Sequence, residues 1–323
     1  MAKVVFLNGL PSEIVNEINS YAPSHFQIDA IGRESSEAQR VEAVAGADFL
    51  LCYRLEPSDD VLRSAKKCQL VQLLAAGYEK TNLKLLRDLG IPCCNNGGAN
   101  SWAVSDHAVL LMLSLYKKLL QASIDTTNGK WDDSINGQNT FEMAGKVIGI
   151  LGMGNIGRQV AKRVQGFDSV VQYYDVNLLD DETNKSLNVC PVSIDTLFET
   201  SDIVTCHISL NENTHHIVDR DKFALMKRSA ILINTSRGSV VDEAALIDTL
   251  SNGSIAGAGI DVFENEPVDP GNPLLSFSNV VSTPHMAGTT WDTWRRRAEF
   301  GFGNMDLVLQ GKSPISIVND FGD

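Results

Sequence analysis

The chain contains no apolar run approaching the roughly 20 residues that a membrane-crossing helix needs. Its opening, MAKVVFLNGL, holds too short an apolar stretch for a secretory signal and reads as a first strand. A cytoplasmic protein without a membrane partner is expected. Positive charge is scarce: 27 Lys and Arg stand against 40 Asp and Glu, a net charge of −13. Phosphate binding needs clustered Lys and Arg, so no nucleic-acid partner is expected. The basic run Arg295–Arg297 falls in a helical pattern and reads as a helix face. Cys52, Cys68, Cys93, Cys94, Cys190 and Cys206 include no C-x-x-C pair, and several sit in apolar runs. They read as reduced, mostly buried thiols. Cys93 and Cys94 are adjacent, so on a strand they point to opposite faces and are poor disulfide partners. His215 and His216 are followed by no ligand set, and no metal is expected. Internal repeats and low-complexity segments are also missing.

What remains is ample: 323 residues, 43% apolar and 21% charged, enough for two domains of ordinary soluble composition. The first hundred residues alternate strand-like KVVFL, FQIDA, ADFLLC and QLVQLLAAG with helix-like PSEIVNEINSYA and SSEAQRVEAVAG. Strands separated by helices of this length predict a parallel sheet covered on both faces. Residues 100–120 are too long for a strand, lack Pro and Gly, and are apolar nearly all round. They predict one helix buried on most faces. A polar stretch over 126–140 follows, and then a second alternating series: GKVIGIL, SVVQYY, DIVTCHI, AILIN, AGAGID and NVVST. The region after 290 reads as a helix.

At the head of the second series, VIGILGMGNIG contains Gly152-x-Gly154-x-x-Gly157. The motif alone is weak, but here an apolar strand precedes it. A helical pattern follows, with Ile156, Val160 and Val164 on one face. Gly152 permits a tight turn, Gly154 a close backbone approach to a pyrophosphate, and Gly157 close packing of helix on strand. The helix start offers N–H groups to phosphates. Asp175 stands 18 residues after Gly157, at the end of the next strand. A carboxylate there accepts hydrogen bonds from ribose hydroxyls and repels a 2′-phosphate. NAD(H) is therefore the expected cofactor, with NADP(H) left open.

The later strands end in polar residues that packing does not explain. AILINTSRG delivers Arg237, AGAGIDVFENEP carries Asp261 and Glu266, and STPHMAG delivers His285. Ligands of open parallel sheets bind beyond the carboxyl ends of strands. Reduction of a ketone leaves charge on oxygen and requires a proton donor, which histidine supplies near neutral pH. A carboxylate on the other ring nitrogen fixes the tautomer. An arginine holds a substrate carboxylate and stabilises charge.

GKVIGILGMGNIGRQVAKR, LINTSRGSVVDEAAL, AGAGIDVFENEP and STPHMAGTT, in this order and spacing, resemble the D-isomer-specific 2-hydroxyacid dehydrogenase family along nearly the whole chain. The resemblance implies two doubly wound α/β parallel-sheet domains with a cleft between them. One is a flavodoxin-like, discontinuous substrate domain of residues 1–99 and 288–323. The other is a Rossmann NAD-binding domain of residues 100–287. It implies a substrate-binding Arg237, an acid–base pair of Glu266 and His285, and a nicotinamide contact at Asp261. Gly152, Gly154, Asn155, Ile156, Gly157, Asp175, His207, Thr235, Ser236 and Gly288 are implied to complete the cofactor site. LLAAGYEKTN resembles the loop whose N–H groups, here Ala76 and Gly77, hold the substrate carboxylate, with Asn100 near the site. His107 is read as structural. NGKWDD, with Trp131, resembles a segment that packs across the family's homodimer interface.

The implied activity is transfer of hydride between NAD(H) and a small 2-oxo or D-2-hydroxy acid. Glyoxylate or hydroxypyruvate comes first, because the region of Trp291, Trp294 and HMAGTT resembles reductase-like members. An NAD-responsive corepressor and a formate- or phosphite-type dehydrogenase are the alternatives. One departure is visible: HISL places Ser209 where relatives often have proline, which would loosen the cofactor-side loop.

Overall fold

A computed structural model of the protein describes residues 1–131 and 137–319. The chain divides into two compact units, Met1–Asn100 with Thr289–Asp323, and Ser101–Gly288.

The first unit is built on strands β1 (Ala2–Asn8), β2 (Phe26–Ile31), β3 (Phe49–Tyr53), β4 (Leu70–Leu73) and β5 (Cys93–Cys94). All pairings are parallel and the order is β2-β1-β3-β4-β5, the flavodoxin-like arrangement. Alternation along the strands makes two cores. Val5, Leu7, Leu50, Cys52, Val71 and Cys93 fill one face, and Val4, Phe6, Phe49, Leu51, Leu70 and Cys94 fill the other. Cys93 and Cys94 thus face opposite ways. The helix Trp291–Leu309 returns to this unit and covers the second face with Trp294, Ala298, Phe302 and Met305. Their spacing of three or four residues is what puts them on one helical stripe.

The second unit carries β6 (Val147–Leu151), β7 (Val170–Tyr174), β8 (Cys190–Pro191), β9 (Ile203–Cys206), β10 (Ile231–Asn234), β11 (Gly257–Ile260) and β12 (Val280–Ser282). The sheet is parallel throughout, ordered β12-β11-β10-β9-β6-β7-β8. Strand order reverses between β6 and β9, so the ligand crevice of such a sheet lies beyond the carboxyl ends of these two strands. The helix Ser101–Tyr116 packs on this sheet through Ala108, Leu111 and Met112. The strand beneath it is glycine at the contact: a Cβ on Gly259 would lie 2.9 Å from Leu111 Cβ.

The single helix expected over 100–120 is broken. It ends at Tyr116, Lys118 turns left-handed (φ 48°), and a second helix runs Leu119–Thr127. A tertiary contact takes over at the break: the Tyr116 carbonyl accepts the Phe141 N–H at 2.9 Å, and the two rings lie 5.7 Å apart. Burial is also less complete than the apolar pattern suggests. Trp102, Leu110, Leu119, Leu120 and Ile124 are each at least half exposed. Trp131 is exposed, while Asp132 and Asp133 of NGKWDD lie outside the described residues.

Candidate active site

The dinucleotide motif forms a strand–turn–helix at the carboxyl end of β6. Gly152 sits at φ 99°, and a Cβ there would strike the His207 carbonyl oxygen at 2.8 Å. Gly157 is required by helix-on-turn packing, since a Cβ would lie 2.1 Å from the Gly152 oxygen. Gly154 differs: a Cβ there would meet nothing within 4 Å. The protein itself therefore gives no reason for that glycine, whereas a pyrophosphate against the backbone does. Gly154 also caps the helix Asn155–Gln165 without any side-chain hydrogen bond. Asn155 is exposed beside it, and Ile156 packs down onto the core.

Asp175 directly follows β7, next to this turn. Its Oδ2 accepts the Met153 N–H at 2.7 Å and its Oδ1 the Asn177 N–H at 2.9 Å. The carboxylate is thereby aimed beside the glycine turn while part of its acceptor capacity remains. Two buried atoms at neighbouring strand ends have no hydrogen-bond partner among the described residues: His207 Nδ1 after β9 and Thr235 Oγ1 after β10. Buried polar atoms are rarely left so without a ligand or water to serve them. His207 Nε2 is paired with Thr205 Oγ1 at 2.8 Å, and burial pushes its pKa down to about 3. This imidazole is neutral at working pH. Open space at Gly154, a carboxylate one strand over and two orphaned polar atoms together fit a nicotinamide dinucleotide. The loop after His207 is not loose in spite of Ser209: Thr214 Oγ1 donates to the Ser209 carbonyl at 2.7 Å and accepts the Asn211 N–H at 2.8 Å.

The three residues with acid–base or anion-binding chemistry stand on successive strand ends. His285 and Glu266 meet: Nδ1 lies 2.7 Å from Glu266 Oε2. Glu266 Oε1 accepts the Phe263 N–H at 3.1 Å. Burial alone would raise the Glu266 carboxyl. The His285 hydrogen bond and charge, the Phe263 N–H and the nearby Arg237 outweigh it and hold the carboxyl below its ordinary 4.5. The sign follows: this stabilisation is present above the ordinary value and is lost as pH falls through the depressed one. Because Glu266 occupies Nδ1, the imidazole's Nε2 is the nitrogen available to a reactant.

Arg237 follows β10 in extended conformation, its Nη1 donating to the Ser236 carbonyl at 2.6 Å. Asn234 pins this turn: its side-chain oxygen accepts from the Ser236 N–H and hydroxyl, and its Nδ2 donates to the Arg237 carbonyl. Gly238 then brings the arginine turn against the Glu266 loop, since a Cβ on Gly238 would lie 1.9 Å from the Phe263 carbonyl carbon. Gly238→Ala is expected to cost about 1–3 kcal/mol by overpacking and to displace Arg237 and Glu266 together. Thermal unfolding and turnover measured on the same preparation check this; an unchanged midpoint would refute the close approach.

Asp261 is 1% exposed, and its carboxylate accepts the Thr283 hydroxyl and the Met286 and Ala287 N–H groups. Gly288 closes that loop. In the first unit, the turn after β4 carries Ala76 and Gly77, whose N–H groups have no partner among the described residues. Asn95 Nδ2 holds the Ala76 carbonyl at 3.0 Å, and Asn100 accepts from Asn96 Nδ2 at 3.2 Å.

Sequence reading passed over two features. The turn-pinning Asn234 carries no motif of its own. His216, read as a loop histidine, meets Glu264 at 2.6 Å, with Asp242 close by. This is the one group of three potential metal ligands among the described residues. Each member already has a protein partner, Asp242 capping the helix Glu243–Ser251 and Glu264 accepting the Glu243 N–H.

Comparison with known proteins agrees with this geometry. The model of the D-isomer specific 2-hydroxyacid dehydrogenase NAD binding domain matches residues 109–287. A glyoxylate reductase of Korarchaeum cryptofilum is 36% identical over 300 residues, covering 91% of this chain and 90% of the relative. Glyoxylate/hydroxypyruvate reductase B of Erwinia tasmaniensis is 31% identical over 320 residues, 98% of each. The holo D-mandelate dehydrogenase of Rhodotorula graminis superposes with a TM-score of 0.85 at 25% identity, covering 99% of both chains. With two parallel α/β units, a dinucleotide cradle at the β6/β9 reversal and this similarity along the chain, the protein belongs to the D-isomer specific 2-hydroxyacid dehydrogenase family of oxidoreductases.

Proposed function

We propose that the protein is an NADH-dependent reductase of a small 2-oxo acid, glyoxylate or hydroxypyruvate, and catalyses the reverse oxidation of the D-2-hydroxy acid. The observation that carries this reading is the 2.7 Å contact of His285 Nδ1 with Glu266, in the same unit as the dinucleotide cradle. The names of the Korarchaeum and Erwinia relatives support the choice of substrate. Gly152, Gly154, Gly157, Asp175, His207 and Thr235 would hold the cofactor, and the bound nicotinamide supplies the hydride equivalent for C2. Arg237 attracts the substrate carboxylate and stabilises negative charge at the reacting carbonyl. His285 gives its Nε2 proton to the nascent alkoxide oxygen. Glu266 keeps the Nδ1–H oriented and stabilises the charged imidazole. In oxidation the neutral His285 takes the hydroxyl proton back. In the first unit, the Ala76 and Gly77 N–H groups and the Asn100 amide are the candidate partners of a carboxylate.

The preference for NADH over NADPH rests on Asp175, which lies beside the glycine turn and whose carboxylate would accept from ribose hydroxyls and repel a 2′-phosphate, and on the stretch 175–181, which adds two further acids, Asp180 and Asp181, with no Lys or Arg. A panel of 2-oxo acids assayed with each cofactor tests the whole reading. The expected result is turnover of glyoxylate or hydroxypyruvate. kcat/KM should favour NADH by at least about tenfold, or 1.4 kcal/mol, with the ratio narrowed in Asp175→Ser. Tight NADH binding with no turnover of any acid would mark a binding protein instead.

A homodimer accords with the exposed apolar side chains of the second unit, Leu110, Leu119, Leu120, Ile124 and Trp131. Sedimentation should read the mass of two chains; a monomer at micromolar concentration would refute it.

A further inference from the structure

His285 occupies the left-handed region at φ 49°. That conformation costs a bulky L-residue about 1–2 kcal/mol, so surrounding bonds must hold it. The His285 N–H donates to the Asp261 carbonyl at 2.8 Å. The next two N–H groups, of Met286 and Ala287, donate to Asp261 Oδ1 and Oδ2, each at 2.9 Å. One buried aspartate therefore grips the chain on the histidine and on both residues after it.

That aspartate is itself held from behind. Thr283 Oγ1 lies 2.5 Å from Asp261 Oδ1, and His107 Nε2 lies 2.9 Å from Thr283 Oγ1. A hydroxyl has one proton. At 2.5 Å from a carboxylate oxygen, Thr283 must give its proton to Asp261, so its oxygen accepts from His107. This assigns the proton of His107 to Nε2. The chain of donors runs from His107 through Thr283 to a carboxylate that is 1% exposed, with the His107 side chain 10% exposed. Bonds to a charged acceptor in such surroundings are stronger than neutral ones and reinforce each other. His107 projects from the helix Ser101–Tyr116, so the chain fixes the histidine loop to a rigid element of the same unit.

We infer that Thr283 and His107 are positioning residues for the reaction, acting through Asp261 to hold the His285 imidazole where proton transfer requires it. The inference rests on the proposed proton-carrying role of His285. It departs from the purely packing role that a histidine on an apolar helix suggests.

The test uses Thr283→Val and His107→Leu with their conservative counterparts, Thr283→Ser and His107→Gln. The glutamine places an N–H donor near the position of Nε2. kcat, KM for the 2-oxo acid, NADH affinity and the unfolding midpoint are read for each variant. Thr283→Val is also made in the His285→Ala background. Loss of an outer hydrogen-bonding partner of this kind is expected to lower kcat about 10- to 100-fold. NADH affinity should stay within about threefold, a difference of less than 1 kcal/mol, and Ser and Gln should restore most of kcat. In the His285→Ala background Thr283→Val should have no further effect. Wild-type kcat in both Thr283→Val and His107→Leu would overturn the inference. So would a loss that persists without His285, which marks a general structural role. If Thr283→Val does not fold, His107→Leu carries the same comparison. Full activity in His285→Ala alone would sink the proposed function as well; a normal defect there with none in the outer variants sinks this inference only.

Discussion

Replacing His285 with alanine lowers turnover by about 10²–10⁴-fold, equivalent to roughly 3–5 kcal/mol of lost transition-state stabilisation, while NADH still binds. Two observations carry this expectation. The imidazole is held at Nδ1 by Glu266, which leaves Nε2 as its working nitrogen. Its other hydrogen bonds run through its backbone, to Asp261 and Thr283, and none goes to Gly152, Gly154, Gly157 or Asp175. The proposed proton carrier and the proposed cofactor cradle thus share no hydrogen bond, so the substitution is expected to spare cofactor affinity. pH provides a second reading. If His285 carries the proton as proposed, the reductive rate falls as pH rises, and oxidation runs the opposite way. At the acid end, Glu266 stays ionised until pH drops below its ordinary 4.5, so the pair remains intact through the mildly acidic range. Steady-state rates in both directions, measured across pH where chemistry limits turnover, check the claim. A His285→Ala enzyme with wild-type turnover, or flat profiles both ways, would falsify it.

The second large effect is expected at Arg237. Arg237→Leu should reduce kcat by about 10²–10³, the usual loss when a preorganised donor to developing charge is removed. KM for the 2-oxo acid should rise as well, because the same guanidinium is the proposed anchor of the substrate carboxylate. Arg237→Lys should recover only part of this, since an ammonium keeps the charge but loses the planar two-pronged fit. A side effect distinguishes this site from a surface arginine. Arg237 is one of the groups that hold the Glu266 carboxyl low. Removing it lets that carboxyl rise, and the acid limb of the reductive profile moves to higher pH. Unchanged KM and kcat in Arg237→Leu would exclude the assignment.

Much of the architecture is legible in the order of residues, because parallel strands buried on both faces must be apolar and must be spaced by helices. Of the seven strands described in the second unit, six stand out as apolar runs. The seventh, Cys190–Pro191, is a two-residue exposed edge with nothing to mark it. The break at Lys118 is hidden for a different reason. No proline or glycine signals it, and the Phe141 N–H that satisfies the Tyr116 carbonyl comes from a distant part of the chain.

The candidate site divides in the same way. Residue order alone determined the chemical types and their places at strand ends: the glycines, Asp175, Arg237, Glu266 and His285. Local rules act there, since a tight turn needs Gly152 and a strand must end where its pattern ends. Only the tertiary structure decided which atoms meet. It set Glu266 on Nδ1 of His285, brought Phe263 against Gly238, and linked His107 to Asp261 through Thr283, which stands 176 positions after His107 in the sequence. Contacts of that kind depend on how separate strand ends are carried to one edge of a sheet. Burial and hydrogen-bond completion select among them, and no local pattern records the result.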